Sequence, residues 1–438
     1  MSAKDLLQQI HVAEILRQHA PWPGAAADDS GPLVRFWESL APSRQREMAA
    51  RAEPPLALLA RTAEPELVAF LAELADRLPE VPPRDLATLY EQVPPADGQE
   101  LAAGAVAFLE DAAPLDRELA ERMLLFLGCL VPDALRDLHE RMIRVGMVWP
   151  GELFRGAGPE ARDLLLSLLP DARDGEALPF LLSALAWIGD PIVRLRFHQW
   201  RRDPPLWAVD LEISPDQHAL DAAWHLEPDG ERRDLFHEEC WKLVPATLQT
   251  PGPVRVVRPR EPREGGAEEI CPGCAGPLVD LLDFDLTDPR TAFLGFAGGT
   301  RLRIATCPRC LPWSAPILTE VDPEGGSVWS PVNQPPAFVG ETAATWPEER
   351  LVLGERHRTP LAARPFVGEG PASQVGGYPS WLQEPEYPLC PECGEPMTFI
   401  GQVQLADLAS GTEEPAEGVV YAFLHAPCGR AATLYQQL

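Results

Sequence analysis

The chain has 438 residues, of which 45% are hydrophobic and 24% charged, with a net charge of −29 and a pI of about 4.7. That length holds two or three domains with cores of their own, and the composition excludes a disordered chain. No apolar run reaches the roughly 18 residues a membrane span needs, and the acidic balance argues against generic nucleic-acid binding, which needs the opposite sign.

The N-terminal stretch MSAKDLLQQIHVAEILRQ has the spacing of an amphipathic helix and lacks the apolar centre and cleavage site of a signal peptide. A cytoplasmic location is therefore expected. Residues 1–205 are expected to be helical, because apolar positions recur at spacings of three and four in PELVAFLAELADRL, ELAERMLLFLGCLV and ALPFLLSALAWIG. Prolines and glycines punctuate these segments at the scale of helical hairpins. LLFLGCLVPDALRDLHERM and LLSALAWIGDPIVRLRFHQW share a helix–turn–helix pattern holding Pro-Asp or Gly-Asp-Pro. HEAT-like repeats and an irregular bundle are the two readings of this half.

Residues 206–248 carry Trp207, Trp224 and Trp241 and lose the helical period, which suggests an aromatic cap on the helical array. Residues 249–265 are rich in Pro, Gly and Arg and are expected to be a linker, with Arg255, Arg258, Arg260 and Arg263 as its basic cluster. Residues 266–438 change period. RLRIATC, MTFIGQVQL, VYAFLHAPC and ATLYQQL alternate or carry β-favouring residues between Gly/Pro turns. The expected fold class is therefore α+β and multidomain, an N-terminal all-α region followed by a β-rich domain.

Seven of the nine cysteines fall into two units, Cys271-Pro-Gly-Cys274 with Cys307-Pro-Arg-Cys310, and Cys390-Pro-Glu-Cys393 with His425-Ala-Pro-Cys428. Two ligands separated by two residues sit on one tight turn and reach one ion, and a second such turn completes a tetrahedral shell. Two zinc ions are expected, one on each set of four, although spacing alone leaves open ligand exchange between the units. Four protein ligands leave no place for an activated water, which makes both sites structural. CPGCAGPLVDLLDFDL and CPECGEPMTFIGQVQL align without a gap, pairing Leu278 with Met397, Leu281 with Ile400 and Leu286 with Leu405. Two related zinc-ribbon-like hairpins follow, with internal duplication as their origin.

Enzyme signatures are weak. His237-Glu238-Glu239 precedes Cys271, but Ile270 stands where a zinc deaminase needs proline. The Cys-x-x-Cys pairs lack the βαβ setting of a thiol oxidoreductase, and the chain shows no phosphate-cradling loop, nucleophile elbow or HExxH helix. Cys129, within MLLFLGCLV, reads as a buried inert thiol.

The segment SQVGGYPSWLQEPEYPLCPECGEPMTFIGQVQL resembles the YwqG-like domain family, which is grouped with the eukaryotic programmed cell death protein two and a ribosome-biogenesis factor. The resemblance covers roughly residues 340–438 and implies a compact β-rich domain that binds protein partners and carries no catalytic residues. Eukaryotic relatives escort a ribosomal protein, and bacterial ones have been proposed as immunity proteins against toxins. In this chain the motif holds Gly376, Gly377, Tyr378, Pro379, Trp381, Gln383 and Gln402. The glycines supply positive φ, Pro379 fixes the turn, Trp381 is expected to enter the core, and the glutamines are expected to bond main-chain groups. A recognition surface built on Trp381 and the glutamines is the other reading. The expected function is a non-enzymatic protein-binding, chaperone or immunity role toward a basic protein. An RNA-associated factor using Arg255–Arg263, or a hydrolase or nuclease with an unrecognised site, are the alternatives.

Overall fold

The structure is a computed structural model and describes Ala87 and residues 90–437, except 112–116, 173–176, 210, 246–251, 261–269, 297–298, 315, 323, 340–345, 347–350, 365–371 and 409–417. The expected N-terminal amphipathic helix and most of the expected array before residue 90 lie outside the described residues, as does Arg263. No described helix is long and apolar enough to cross a membrane.

The chain divides after Leu168 into two units. In the first, α1 (Pro95–Asp111) packs on α2 (Glu118–Leu130), and α3 (His139–Arg144) packs on α4 (Pro159–Leu168). Ala102, Val106, Leu109, Leu124 and Leu127 are buried, the stripe that their three- and four-residue spacing provides. Cys129 is fully buried in this core. A Cβ at Gly128 would come within 2.6 Å of the Leu153 side chain, so glycine here permits close packing on α2.

The second unit begins with a helical hairpin, α5 (Ala177–Ile188) and α6 (Pro191–Arg202). Its turn is the Gly-Asp-Pro triplet. Gly189 takes φ +53°, Asp190 Oδ1 accepts the Ile192 and Val193 amides at 2.9 Å, and Pro191 occupies the first helical position. The hairpin docks through aromatics. Trp224 is fully buried, donates from Nε1 to Ala186 O at 2.9 Å and stacks near Phe197, while Trp187 lies 4.8 Å from the Tyr378 ring.

Among the described residues three sheets follow, all antiparallel. β1 (Trp224–Leu226) and β2 (Arg232–Asp234) form a hairpin. The large sheet has the order β8-β7-β13-β12-β11-β10-β3-β9, and the small one β4-β5-β6. Their strands are β3 (His237–Pro245), β4 (Val254–Pro259), β5 (Val279–Asp285), β6 (Arg301–Thr306), β7 (Ile317–Val321), β8 (Ser327–Trp329), β9 (Leu351–Arg356), β10 (Gln374–Gly377), β11 (Thr398–Gln404), β12 (Val419–His425) and β13 (Arg430–Gln436).

Two boundaries differ from the sequence expectation. Residues 206–248 are not a cap alone, because β3 lies inside the large sheet between β10 and β9. Residues 249–265 are not simply a linker, because Val254–Pro259 form β4 and pair with β5. The physical reason is shared: strands rich in charged residues do not look apolar, and the strands they pair with are not their neighbours in sequence.

The apolar face of the small sheet (Val256, Leu282, Phe284, Leu302, Ile304) joins one core with Val375, Ile400, Val420 and Ala422 of the large sheet. The contact is close. A Cβ on Gly401 would stand 3.2 Å from Leu282 Cδ1.

Candidate metal centres

The first centre is built by two turns at one end of the small sheet. Cys271 N donates to Gly276 O and Ala275 N to Cys271 O, both at 2.8 Å, which folds the Cys-x-x-Cys segment into a knuckle just before β5. Cys307 and Cys310 follow β6 directly. The four Sγ atoms lie within 4.8 Å of one another, with Cys271–Cys310 at 3.6 Å and Cys274–Cys307 at 3.5 Å. Sulfurs bound to one tetrahedral ion at about 2.3 Å stand about 3.8 Å apart, and a disulfide would need about 2.05 Å. The spacing therefore fits a metal shell. Cys271, Cys307 and Cys310 are buried, and Gly276 N points at Cys274 Sγ at 3.4 Å. The crowded thiols share protons unequally. The Cys307 thiol beside Cys271 holds it at about 5, hydrogen bonding to Cys271 pushes Cys307 up, and burial takes Cys310 up to about 12. A cation in their midst would release those protons.

The second centre repeats this on the large sheet. Cys390 N donates to Glu395 O and Gly394 N to Cys390 O, both at 2.8 Å. His425 ends β12 and Cys428 follows it, and the four ligand atoms again lie within 4.8 Å. Cys393 Sγ is 3.6 Å from His425 Nε2 and 4.0 Å from Nδ1, so Nε2 is the nearer nitrogen. A thiolate and an imidazole nitrogen on one tetrahedral ion stand about 3.6 Å apart. Burial lowers the His425 pKa, which favours the neutral ring a metal requires. This centre is more open: Cys393 is exposed and Cys428 half-buried.

The two centres are matched beyond their ligands. Adding 119 to each residue of 254–260 and 270–285 gives its counterpart in the second centre's strands, and adding 118 does so from Arg301 to Cys310. Val279↔Thr306 corresponds to Thr398↔Leu424, Asp283↔Arg303 to Gln402↔Tyr421, and Asp285↔Arg301 to Gln404↔Val419. Both ladders bulge at the same place, Asp280/Leu282 and Phe399/Gly401. The isolated bridges Ile270↔Pro277 and Leu389↔Pro396 match as well. So do the preceding strands. Arg255↔Asp283 corresponds to Gln374↔Gln402, and positive φ falls on Val257 (+53°) and its counterpart Gly376 (+70°). β4-β5-β6 and β10-β11-β12 are two copies of one three-stranded, knuckle-bearing unit. Leu282 and Gly401 are counterparts, and a Cβ on Gly401 would press on the Leu282 side chain, so the two copies approach each other through equivalent positions.

The signature residues lie in the second copy. Gly376, Gly377, Tyr378 and Pro379 are buried. Tyr378 stacks 3.9 Å from Phe236. Gln402 accepts from Ser380 N at 2.9 Å and donates to Ala372 O at 2.8 Å, and Gln383 donates to Gln437 O at 2.9 Å. Trp381 is half-buried, 4.7 Å from Tyr421 and 5.3 Å from Tyr387. The sequence reading did not single out Gln374, Ser380 and Tyr421, which complete this network: Gln374 Nε2 donates to Tyr378 O at 2.8 Å and Tyr421 OH to Ser380 O at 2.7 Å.

A third group, His225, Glu227 and Glu395, also converges. Arg233 occupies it, meeting Glu227 at 2.5 Å, Glu395 at 2.8 Å and Pro396 O at 2.8 Å. Its guanidinium neutralises both carboxylates, so the group is an ionic joint between the β1–β2 hairpin and the second knuckle.

Residues 373–434 match a family described as a domain of unknown function, DUF1963. Over 325 residues the chain is 34% identical to the uncharacterized protein YpfL of Salmonella typhimurium, a stretch covering 73% of this chain and 72% of that protein. The chain belongs to the YpfL family. No solved structure matches it. The DUF1963 match runs from the edge of β10 into β13 and thus takes in the second copy only; the first copy, 254–310, lies outside it.

Proposed function

We propose that this YpfL-family chain is a non-catalytic protein-binding protein whose β-rich unit is a YwqG-like domain held by two structural zinc ions. The observation that carries the zinc reading is the pair of four-ligand clusters, each with its four ligand atoms within 4.8 Å of one another. Sulfur-rich sets with one imidazole suit zinc better than magnesium or calcium, which take oxygen ligands. The signature residues support a scaffold, because Gln402 bonds the chain's own backbone through both its amide oxygen and nitrogen and Gln383 donates to Gln437 O. The helices before the sheets are proposed to be HEAT-like, and the charge of −29 suits a basic partner in the cytoplasm, as a chaperone or immunity protein would meet.

Of the described cations in the 255–263 cluster, Arg258 lies 3.0 Å from Asp283 and Arg260 3.1 Å from Asp280, a poor starting point for an RNA-binding arm. The test is affinity capture with the zinc-loaded full chain, followed by re-binding of each purified hit in isolation. A basic protein that re-binds stoichiometrically, without being cleaved or modified, is the expected result. Turnover of a captured substrate, or hits that all fail to re-bind, would overturn the proposal.

A further inference from the structure

The two knuckles are built alike and connected differently. Glu392 and Glu395 of the second stand where the first has Gly273 and Gly276, and the first knuckle, Cys271–Pro277, carries no charged residue. Both glutamates are engaged. Glu392 pairs with Arg430, which follows the other turn of the same centre and reaches Glu320 of β7 at 3.1 Å. Glu395 accepts from Arg233 Nη2, and the neighbouring Pro396 O accepts from its Nη1, both at 2.8 Å.

Arg233 carries the connection onward. Its strand β2 pairs with β1, and Leu235 O, just beyond β2, accepts the Phe399 amide of β11 at 2.8 Å. From the same hairpin Trp224 Nε1 donates to Ala186 O at 2.9 Å and Arg232 Nη1 to Gly189 O at 3.0 Å, both at the end of α5. The second knuckle, the β1–β2 hairpin and the α5–α6 hairpin therefore form one unbroken line of contacts.

The second centre is also the accessible one. Cys393 is exposed and Cys428 half-buried, with Cys390 and His425 buried beside them. A bound metal keeps its cysteines as thiolates, the form that peroxides attack, so exposure decides which sulfur is oxidised first.

We propose that the second centre is an oxidation-sensitive latch: a hydroperoxide oxidises Cys393, the ion leaves, and the β1–β2 hairpin loosens from the sheet. The proposal rests on the zinc reading of that centre. In the first step the Cys393 thiolate attacks hydrogen peroxide; an S–O bond forms, the O–O bond breaks, and the departing hydroxide takes a proton to become water. The thiolate of Cys390 or Cys428 then attacks the sulfenic sulfur, forming a disulfide and releasing the second oxygen as water. Two thiolates give up two electrons and peroxide accepts both. One thiolate and His425 remain, too few to hold zinc. Without the ion the knuckle no longer fixes Glu395 and Pro396 O for Arg233. The first centre, with three of its four ligands buried, keeps its ion.

The test uses the full chain purified without chelator, with zinc content measured before and after hydrogen peroxide. Oxidised cysteines are mapped by mass spectrometry, and amide hydrogen exchange is followed in parallel. Release of about one of two zinc ions is expected, with a disulfide joining Cys393 to Cys390 or Cys428. Exchange over residues 224–236 should quicken at least about three-fold, while β5 of the first copy stays protected. Arg233→Leu should quicken the same amides without peroxide and with both ions retained. Zinc retained under peroxide, oxidation of the first centre ahead of the second, release without faster exchange, or an Arg233→Leu chain that exchanges like the unaltered one would overturn the proposal. A chain holding no zinc before peroxide would overturn the zinc reading itself, and this proposal with it.

Discussion

Gln402 Oε1 accepts the Ser380 amide hydrogen at 2.9 Å, and both residues are fully buried. The same side chain donates to Ala372 O, so one glutamine closes two backbone groups on either side of the signature turn. Gln402→Leu keeps the volume and leaves both groups unmade. It is expected to cost about 2–4 kcal/mol, measured as a shift in urea midpoint with unchanged metal content. A loss below about 0.5 kcal/mol would mean the network does not hold the turn.

Two glycines at counterpart-sensitive positions separate steric need from habit. Gly376 takes φ +70°, and a Cβ there would stand 2.1 Å from Glu239 O and 2.9 Å from the Phe293 ring. Gly394 takes φ +76° with nothing within 4 Å, and its counterpart Ala275 already carries a Cβ at φ +55°. Gly376→Ala should therefore cost more than about 2 kcal/mol, and Gly394→Ala about 1. Thermal melts of the two variants, compared side by side, check the order; equal losses would contradict it.

Burial pushes His237 down to about 4 and His357 down to about 3. Both stay neutral in the folded protein while the unfolded chain takes up protons below about pH 6.5. Stability should fall as pH drops from about 6.5 toward 4, each histidine adding up to about 1.4 kcal/mol per pH unit. Asp280 works the other way, since burial raises it to about 6 and the fold binds a proton there first. Among these three groups the net slope is that of roughly one. Urea unfolding at pH 7 and pH 5 should show it, and His237→Phe should flatten it.

The second centre should lose its metal first. Cys393 is exposed and Cys428 half-buried, whereas three of the four ligands of the first centre are buried. With a chromogenic chelator, release is expected in two phases, and Cys393→Ser should abolish the fast phase while sparing the slow one. A single phase, or loss of the slow phase, would contradict the assignment.

Much of the site was legible in the sequence because metal ligation demands fixed residue types at fixed spacing. Cys271, Cys274, Cys390 and Cys393 sit on gap-free counterparts, and Leu281 and Ile400 occupy the matching bulges. The strand before each knuckle was not legible. VRVVR and SQVGG share a backbone path, including the positive φ at Val257 and Gly376, yet only one valine coincides. Residues 249–265 resembled a linker because proline and arginine lower apparent strand propensity, while the aspartates that neutralise Arg258 and Arg260 lie at 283 and 280. β3 escaped for a related reason. HEECWKLVP has charged and polar residues at its start, and its partners, β10 and β9, come from the far end of the chain.

The most direct measurement of the central claim is elemental metal analysis of the full chain purified without chelator, alongside Cys271→Ser/Cys274→Ser and Cys390→Ser/Cys393→Ser. About two zinc ions per chain are expected for the unaltered protein and about one for each double variant. A chain that folds with no bound metal, or that keeps two ions in either variant, would contradict a scaffold of two copies each held by its own ion.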